Sequence, residues 1–173
     1  SSFLRCQAFG LKRIHDVQLD GLAYPAIDET VELYGYGLME RPYRAIYGRM
    51  QTKRLAEIHL QYGDRLVESN IRRYKGSSTV NDSLSSTLRT QSQHFFYFNN
   101  GVTFLCQSVV PVGPRDTNRD TGRFRVKGLS IINGAQTVGA IAQEPASHYE
   151  ANPADVLVTF ISLENSPESF SSQ

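Results

Sequence analysis

Amide and hydroxyl side chains gather over residues 129–140, where a predicted strand turns into a predicted helix. The segment is Leu-Ser-Ile-Ile-Asn-Gly-Ala-Gln-Thr-Val-Gly-Ala: an apolar run, a glycine turn and a helical pattern. The first turn of a helix has unpaired N–H groups and a partial positive charge, which suit an anion such as phosphate. Gly134 would let the backbone approach a ligand, and Asn133, Gln136 and Thr137 would donate or accept hydrogen bonds beside it. Capping of the helix by Asn133 is the alternative interpretation.

A second polar cluster, Asn99-Asn100-Gly101, lies within residues 95–106, a run rich in aromatic and β-branched side chains. Asn and Gly tolerate positive φ, so the run predicts a β-hairpin with a tight turn. Two consecutive asparagines are more polar than a turn requires. A bulge that directs an amide into a cleft is therefore the functional alternative, and all three residues are candidate ligand contacts.

Basic residues supply two further candidate phosphate contacts. Residues 69–76 are Ser-Asn-Ile-Arg-Arg-Tyr-Lys-Gly, in which Arg72 is a candidate because a guanidinium binds phosphate through two hydrogen bonds. Asn81 follows close by as a candidate amide. The loop 115–127 has five basic residues and two aspartates, 5 − 2 = +3, and could contact a phosphate backbone. Solvated basic turns are the alternative interpretation of both segments.

Familiar catalytic signatures are absent from the sequence. It contains no HExxH, no GxSxG, no P-loop motif (GxxxxGK followed by Ser or Thr) and no carboxylate cluster suited to two metal ions. The four histidines are scattered along the chain. We therefore predict no metal site and leave the catalytic residues unknown. The cofactor is likewise unknown, with a divalent metal expected only if the protein is a nuclease.

Composition favours a globular cytoplasmic protein. Hydrophobic residues make up 40 % of the 173 residues, and the two cysteines are far apart, unlike those of a disulfide-rich secreted domain. No apolar run approaches a membrane span, and the first residues lack the apolar core of a signal peptide. The net charge of +1 is unevenly distributed: residues 1–127 carry 18 − 12 = +6, and residues 128–173 carry −5. Such a split can mark a surface for polyanions, or two complementary halves of one protein.

Strand and helix patterns alternate along the chain. We predict strands at 31–36, 43–50, 124–132 and 156–163, and helices at 53–62, 80–90 and 135–143. Thr52 is the predicted N-cap of the first helix and Gly63 its end. Residues 64–76 predict a short strand and a basic turn, and a further helix begins near residue 166. The fold class is therefore α/β or α+β, a mixed sheet with flanking helices.

Four ordered motifs together resemble the core signature of the abortive infection phage resistance (AIPR) family. In that family an Asn-Ile/Val-Arg turn precedes a Val-Asn helix start, an aromatic segment ending in Asn-Asn-Gly, and a strand leading into Asn-Gly-x-Gln-Thr. The corresponding segments here are Asn70-Ile71-Arg72, Val80-Asn81, Phe96-Tyr97-Phe98-Asn99-Asn100-Gly101 and Ile131-Ile132-Asn133-Gly134-Ala135-Gln136-Thr137. The resemblance covers about residues 43–163.

The resemblance implies a bacterial defence protein that blocks phage propagation. It also implies a division into an N-terminal irregular or β segment, 1–42, and an AIPR-like α/β core, 43–173, that lacks a C-terminal portion. The layout is more distantly similar to DGQHR-type and ParB-like proteins, whose strand-Gly-helix turn meets phosphate, so a ParB-like core is one expectation. The turn at Asn133–Thr137 contains no Arg or His, which argues against ParB-like nucleotide hydrolysis.

Two functions of different classes follow. In the first, the core binds nucleic acid or a nucleotide, as part of a nuclease, through Arg72, Asn81 and the residues of the two Asn-Gly turns. In the second, the protein is a non-enzymatic sensor that recognises a phage component, and the asparagines are structural amides that satisfy strand ends. A stand-alone metal-dependent nuclease is disfavoured by the few carboxylates near the motifs.

Overall fold

A seven-stranded mixed sheet forms the centre of the protein. The computed structural model describes residues 26–67, 79–114 and 117–164. The strands are β1 (Asp28–Met39), β2 (Ala45–Gln51), β3 (Val102–Cys106), β4 (Ser108–Pro111), β5 (Thr121–Lys127), β6 (Ser130–Asn133) and β7 (Asp155–Ser162). Their order in the sheet is β4-β5-β1-β2-β7-β3-β6. Only β3 and β7 pair in parallel among these neighbours. The predicted mixed α/β architecture is confirmed, whereas the ParB-like core stays a prediction.

Helices flank this sheet. They are α1 (Thr52–Tyr62), α2 (Thr79–Thr90), α3 (Phe95–Phe98), α4 (Ala135–Gln143) and α5 (Ala146–Ala151), with 3₁₀ turns at Gly63–Leu66 and Ser92–His94. The longer helices α1 and α2 both pack against α4. In the described part of the chain, no helix is long and apolar enough to span a membrane.

Alternation of buried and exposed residues explains how the sheet forms. Along β5 the side chains of Phe124 and Val126 are buried, while the intervening Arg and Lys side chains are exposed. On the buried face, the rings of Phe104 and Phe160 stack with centroids 5.1 Å apart. Because neighbouring side chains on a strand point to opposite faces, this pattern fixes which face of the sheet the helices cover.

The first helix forms as predicted, except for its cap. It ends at Gly63, whose φ of 54° is a positive value that glycine adopts without the steric cost of a Cβ atom. Thr52 is the first helical residue instead of the N-cap, a position that Gln51 occupies. The buried Thr52 hydroxyl donates a hydrogen bond of 3.1 Å to the carbonyl oxygen of Ala154. The Thr52 side chain therefore forms a tertiary hydrogen bond instead of the helix cap that the local sequence predicts.

The predicted hairpin at 95–106 is wrong. Residues 95–98 form the short helix α3, and only residues 102–106 form a strand. One helical turn lets Phe95 enter the core, where it is fully buried, and leaves Tyr97 and Phe98 exposed. Tertiary burial of one aromatic residue has overridden the strand preference of the run.

Two further predictions need correction. The single strand predicted at 124–132 is two strands, β5 and β6, separated at Gly128, where φ is 68°. Residues 64–66 belong to a 3₁₀ turn instead of a strand, and the predicted basic turn at 68–76 lies outside the described residues, as does the helix predicted near residue 166. Helix α5 was not predicted.

The N-terminal segment contributes to the same sheet as the core. Residues 28–39 form β1, which pairs with β2 on one side and β5 on the other. The division at residue 42 stays a prediction.

Candidate functional site

Both Asn-Gly turns lie at one end of the sheet. Strand β3 begins at Val102, its antiparallel neighbour β6 ends at Asn133, and its parallel neighbour β7 begins at Asp155. The turn before β3 and the turn after β6 are therefore adjacent, as the pairing of Thr103 with Asn133 shows. We call this region, formed by residues 97–101 and 133–137, the polar end.

The two glycines of the polar end bring three backbone segments into close contact. Gly134 has a φ of 89°, and a Cβ atom there would lie 2.6 Å from the carbonyl oxygen of Gly101. Gly101 has a φ of 79°, and a Cβ atom there would lie 2.7 Å from the carbonyl oxygen of Leu157. Both positions require glycine for conformation and for space. The backbone that Gly134 approaches is thus that of the other turn.

Asn99 links the two turns through its side chain. Its Oδ1 accepts a hydrogen bond of 2.8 Å from the backbone N–H of Gly101, and its Nδ2 donates one of 3.2 Å to Oγ1 of Thr137. The Thr137 side chain is largely buried. These contacts fix the start of α4 against the start of β3.

The start of α4 offers backbone N–H groups. Gly134 is its N-cap residue, and no side chain caps the helix. The first backbone hydrogen bond of the helix is donated by Val138 to the carbonyl oxygen of Gly134, at 3.0 Å. The N–H groups of Ala135, Gln136 and Thr137 precede that bond and have no partner within the helix. Because the helix dipole places partial positive charge there, this position favours an oxyanion.

Three amide side chains and two aromatic rings of the polar end are exposed. Asn100, Asn133 and Gln136 are exposed and form no side-chain hydrogen bond with other described residues. The side chains of Tyr97 and Phe98 on α3 are 76 % and 67 % exposed. The sequence analysis placed these aromatic residues in a strand of the predicted hairpin. Four consecutive aromatic residues could have indicated this exposure, because neither one helical turn nor one strand can bury all four side chains.

Arg72 lies outside the described residues, as does the side chain of Asn81. Across the described ranges, no three His, Cys, Asp or Glu side chains lie close enough to hold a metal ion.

Cys106 occupies the opposite end of β3 and lies in the core. It is 1 % exposed, and its Sγ donates a hydrogen bond of 3.2 Å to the carbonyl oxygen of Ile161. Burial, assisted by the negative charge of Glu164, raises the pKa of the Cys106 thiol to about 12. The thiol therefore stays protonated at physiological pH and is unsuited to act as a nucleophile.

We expect the Cys106 thiol to resist modification in the folded protein. In a Cys6→Ser background, an aromatic disulfide reagent at pH 8 should label Cys106 roughly a hundredfold or more slowly than a free cysteine, because the thiolate fraction is very small. The same sample in guanidinium chloride should react completely. Rapid stoichiometric labelling of the folded protein would contradict this placement of Cys106.

Comparison with protein families gives one match for this chain. The family model described as "AIPR protein" matches residues 67–173, more than half of the chain, and includes both Asn-Gly turns. Comparisons with curated proteins and with solved structures gave no match.

Proposed function

The chain belongs to the AIPR family, and from that membership we propose a role in abortive infection, in which an infected bacterial cell blocks phage propagation. We further propose that the polar end binds an unpaired nucleobase with its phosphate, in a single-stranded nucleic acid or a nucleotide. The exposed pair Tyr97 and Phe98, beside the exposed amides, is the observation on which this proposal rests.

The chemistry of a nucleotide matches the groups available at the polar end. Unpaired bases stack on aromatic rings, and such stacking is sequence-tolerant because every base has a π-face. Asn and Gln amides both donate and accept, so Asn100, Asn133 and Gln136 can pair with the edge of a base. The N–H groups at the start of α4 suit the phosphate.

A duplex fits this surface poorly. Its bases are already stacked and cannot receive Tyr97 or Phe98 without unstacking. Helix α3 has four residues, too short to present several side chains along a major groove. Single strands and free nucleotides expose both the faces and the edges of their bases, and the proposal is restricted to them. It covers binding alone, and we assign no reaction to the polar end.

We expect Tyr97→Ala to weaken binding of a single strand roughly tenfold, because stacking of one base on an aromatic ring contributes about 1–3 kcal/mol. Gln136→Ala should weaken it less, by loss of a hydrogen bond to the base. The measurement is fluorescence anisotropy with labelled single-stranded DNA, single-stranded RNA, a duplex and a fluorescent nucleotide, each titrated against salt. Neither substitution should change the melting temperature, since both side chains are exposed.

Two control variants make this measurement specific. Tyr97→Leu keeps an apolar side chain and removes the ring, so it should behave like Tyr97→Ala. Gln107→Ala removes an exposed glutamine that follows β3 at the other end of the sheet, and it should bind like wild type. Equal binding by all variants, equal weakening in Gln107→Ala, or preference for the duplex would each contradict the proposal.

The same exposed rings favour a second candidate, a sensor that recognises a phage protein. Aromatic side chains are enriched among the residues that dominate binding energy at protein interfaces. Under this alternative the Asn99 bridge is purely structural, and no nucleic acid or nucleotide binds the polar end. Loss of a phage-protein interaction in Tyr97→Ala, with no nucleic-acid binding by wild type, would select it.

A further inference from the structure

One face of β2 and β7 is exposed beside the polar end. Along the middle of both strands every second side chain is buried, and the intervening ones are exposed or partly exposed. The side chains on the exposed side are those of Tyr47, Arg49, Leu157 and Thr159. Tyr47 is 40 % exposed and Leu157 is 36 % exposed. We call the surface formed by these four residues the outer face.

The strand register connects the outer face to the polar end. Tyr47 of β2 lies opposite Thr159 of β7. Thr159 lies opposite Thr103 of β3, which in turn pairs with Asn133 at the polar end. Because neighbouring strands are about 4.8 Å apart, this row of paired residues extends roughly 14 Å from Asn133 to Tyr47.

A second row of residues runs beside the first. Arg49 lies opposite Leu157. Leu157 lies against the polar end, since a Cβ atom at Gly101 would be 3.2 Å from the Cβ of Leu157. Helix α3, which carries the exposed rings of Tyr97 and Phe98, also packs against β7. The outer face and the aromatic residues of α3 therefore meet at one strand.

The ring of Tyr47 is supported from the neighbouring strand β1. A Cβ atom at Gly37, which pairs with Tyr47, would overlap the Cζ, Cε2 and hydroxyl oxygen of the tyrosine. The glycine therefore leaves the space in which the ring lies, and the β1 backbone restricts its orientation. A ring that is already restricted loses little entropy when an unpaired base stacks on its exposed side.

Arg49 provides a cation on the outer face. Its Nη1 donates a hydrogen bond of 3.2 Å to Oδ2 of Asp155, and both side chains are partly exposed. This contact uses one of the five N–H groups of the guanidinium, so the others can bind a phosphate oxygen. Because Asp155 offsets the charge of Arg49, we expect a ligand on the outer face to bind mainly through stacking.

We propose that the outer face extends the polar end into a binding surface for a single-stranded nucleic acid of several nucleotides, with one base at Tyr97 and Phe98 and another on Tyr47. The inference rests on the proposed function and narrows its ligand from a nucleotide to an oligonucleotide. At the spacing of stacked nucleotides, about 3.4 Å, the row from Asn133 to Tyr47 corresponds to about four nucleotides. A dinucleotide is too short to contact both ends of this surface.

Fluorescence anisotropy with a labelled dinucleotide and a labelled decanucleotide of one base tests the inference. Tyr47→Leu should weaken binding of the decanucleotide roughly tenfold, by loss of one stacked base, and leave the dinucleotide unchanged. Tyr97→Ala should weaken binding of both strands. Tyr47→Phe keeps the ring and should bind both strands like wild type.

Val110→Ala is a control for the loss of an exposed apolar side chain. Val110 is 49 % exposed and lies on β4, at the opposite edge of the sheet from β6. This substitution should leave binding of both strands unchanged. Equal weakening of the decanucleotide by Val110→Ala and Tyr47→Leu would overturn the inference.

A tryptophan reporter shows which ring each strand contacts, because the chain contains no tryptophan of its own. The emission of Tyr47→Trp should be quenched by the decanucleotide and unchanged by the dinucleotide. The emission of Tyr97→Trp should be quenched by both. These two variants keep an aromatic ring at each position, so the test stays valid if Tyr47→Leu fails to fold.

The outcomes separate this inference from the proposed function. Quenching of Tyr97→Trp by both strands, with Tyr47→Trp unaffected by the decanucleotide, would overturn the extended surface and leave the polar end as the binding site. Equal quenching of Tyr47→Trp by the two strands would make Tyr47 an independent site and would also overturn the extension. Absence of binding of either strand to the wild-type protein would overturn both proposals.

Discussion

Gly101→Ala is expected to destabilise the protein by roughly 2–5 kcal/mol. A left-handed backbone costs an L-residue about 1–2 kcal/mol, and forcing an extra group into a packed site typically costs a further 1–3 kcal/mol. At Gly101 both costs apply, because φ is 79° and the new Cβ would lie 2.7 Å from the carbonyl oxygen of Leu157. The atom in the way belongs to the backbone of a paired strand, so it cannot move aside as a flexible side chain would. Urea unfolding measures the change.

Gly113→Ala separates the two costs. Gly113 has the same φ of 79°, but a Cβ atom there would have no heavy atom within 4 Å. We expect this variant to lose only about 1–2 kcal/mol, the conformational cost. If the unfolding free energy of the two variants depends on urea concentration with the same slope, both substitutions act on stability alone. If Gly101→Ala is no less stable than Gly113→Ala, the close approach of β7 to the turn is wrong.

The sequence predicted the regular elements well where one physical signal dominated. A loose apolar alternation predicted β2 and an apolar β-branched run predicted β7, each to within about two residues at either end. The turn at Gly134 with the apolar spacing of Val138 and Ile141 placed α4 at residues 135–143. These signals are local, since they depend on which residues of a short segment face the core.

The features that the sequence did not predict depend on packing between residues far apart in the chain. Residues 95–98 have strong strand preference, yet Phe95 reaches the core only through a helical turn, and the rest of the chain provides the space it fills. Gly128 divides the predicted strand 124–132 with a φ of 68°, and the side chain of Gln107, a residue on another strand connection, occupies the space that a Cβ atom at this position would need. No pattern within either segment contains that information.

The candidate residues divide by role only once the fold is known. Sequence reasoning grouped Asn99 with Asn100 because they are adjacent and identical in type. In the structure Asn99 is hydrogen-bonded to Thr137, 38 positions along the chain, whereas the side chain of Asn100 is exposed. The structural and the ligand-binding hypotheses therefore apply to different asparagines of one turn, and two neighbouring substitutions can test them separately.

We expect Asn99→Ala to lower the free energy of unfolding by about 1–3 kcal/mol, since it leaves the partly buried N–H of Gly101 without its acceptor and Thr137 without its donor. For a protein of this size, that corresponds to a fall in melting temperature of roughly 2–4 °C for each kcal/mol. Asn100→Ala should leave the melting temperature unchanged and weaken binding of a single strand, because its exposed amide can contribute only to a ligand. Thermal unfolding and fluorescence anisotropy measure the two effects.

A double-mutant cycle assigns the cost of Asn99→Ala to the bridge. Thr137→Val removes the hydroxyl and preserves the shape of the side chain, so it breaks the same hydrogen bond from the other partner. If the 3.2 Å contact between Nδ2 and Oγ1 is formed, the double variant should lose less stability than the sum of the single variants. Additive losses would mean that Asn99 and Thr137 act independently. Destabilisation by Asn100→Ala equal to that by Asn99→Ala would instead make both asparagines structural and remove Asn100 from the proposed binding surface.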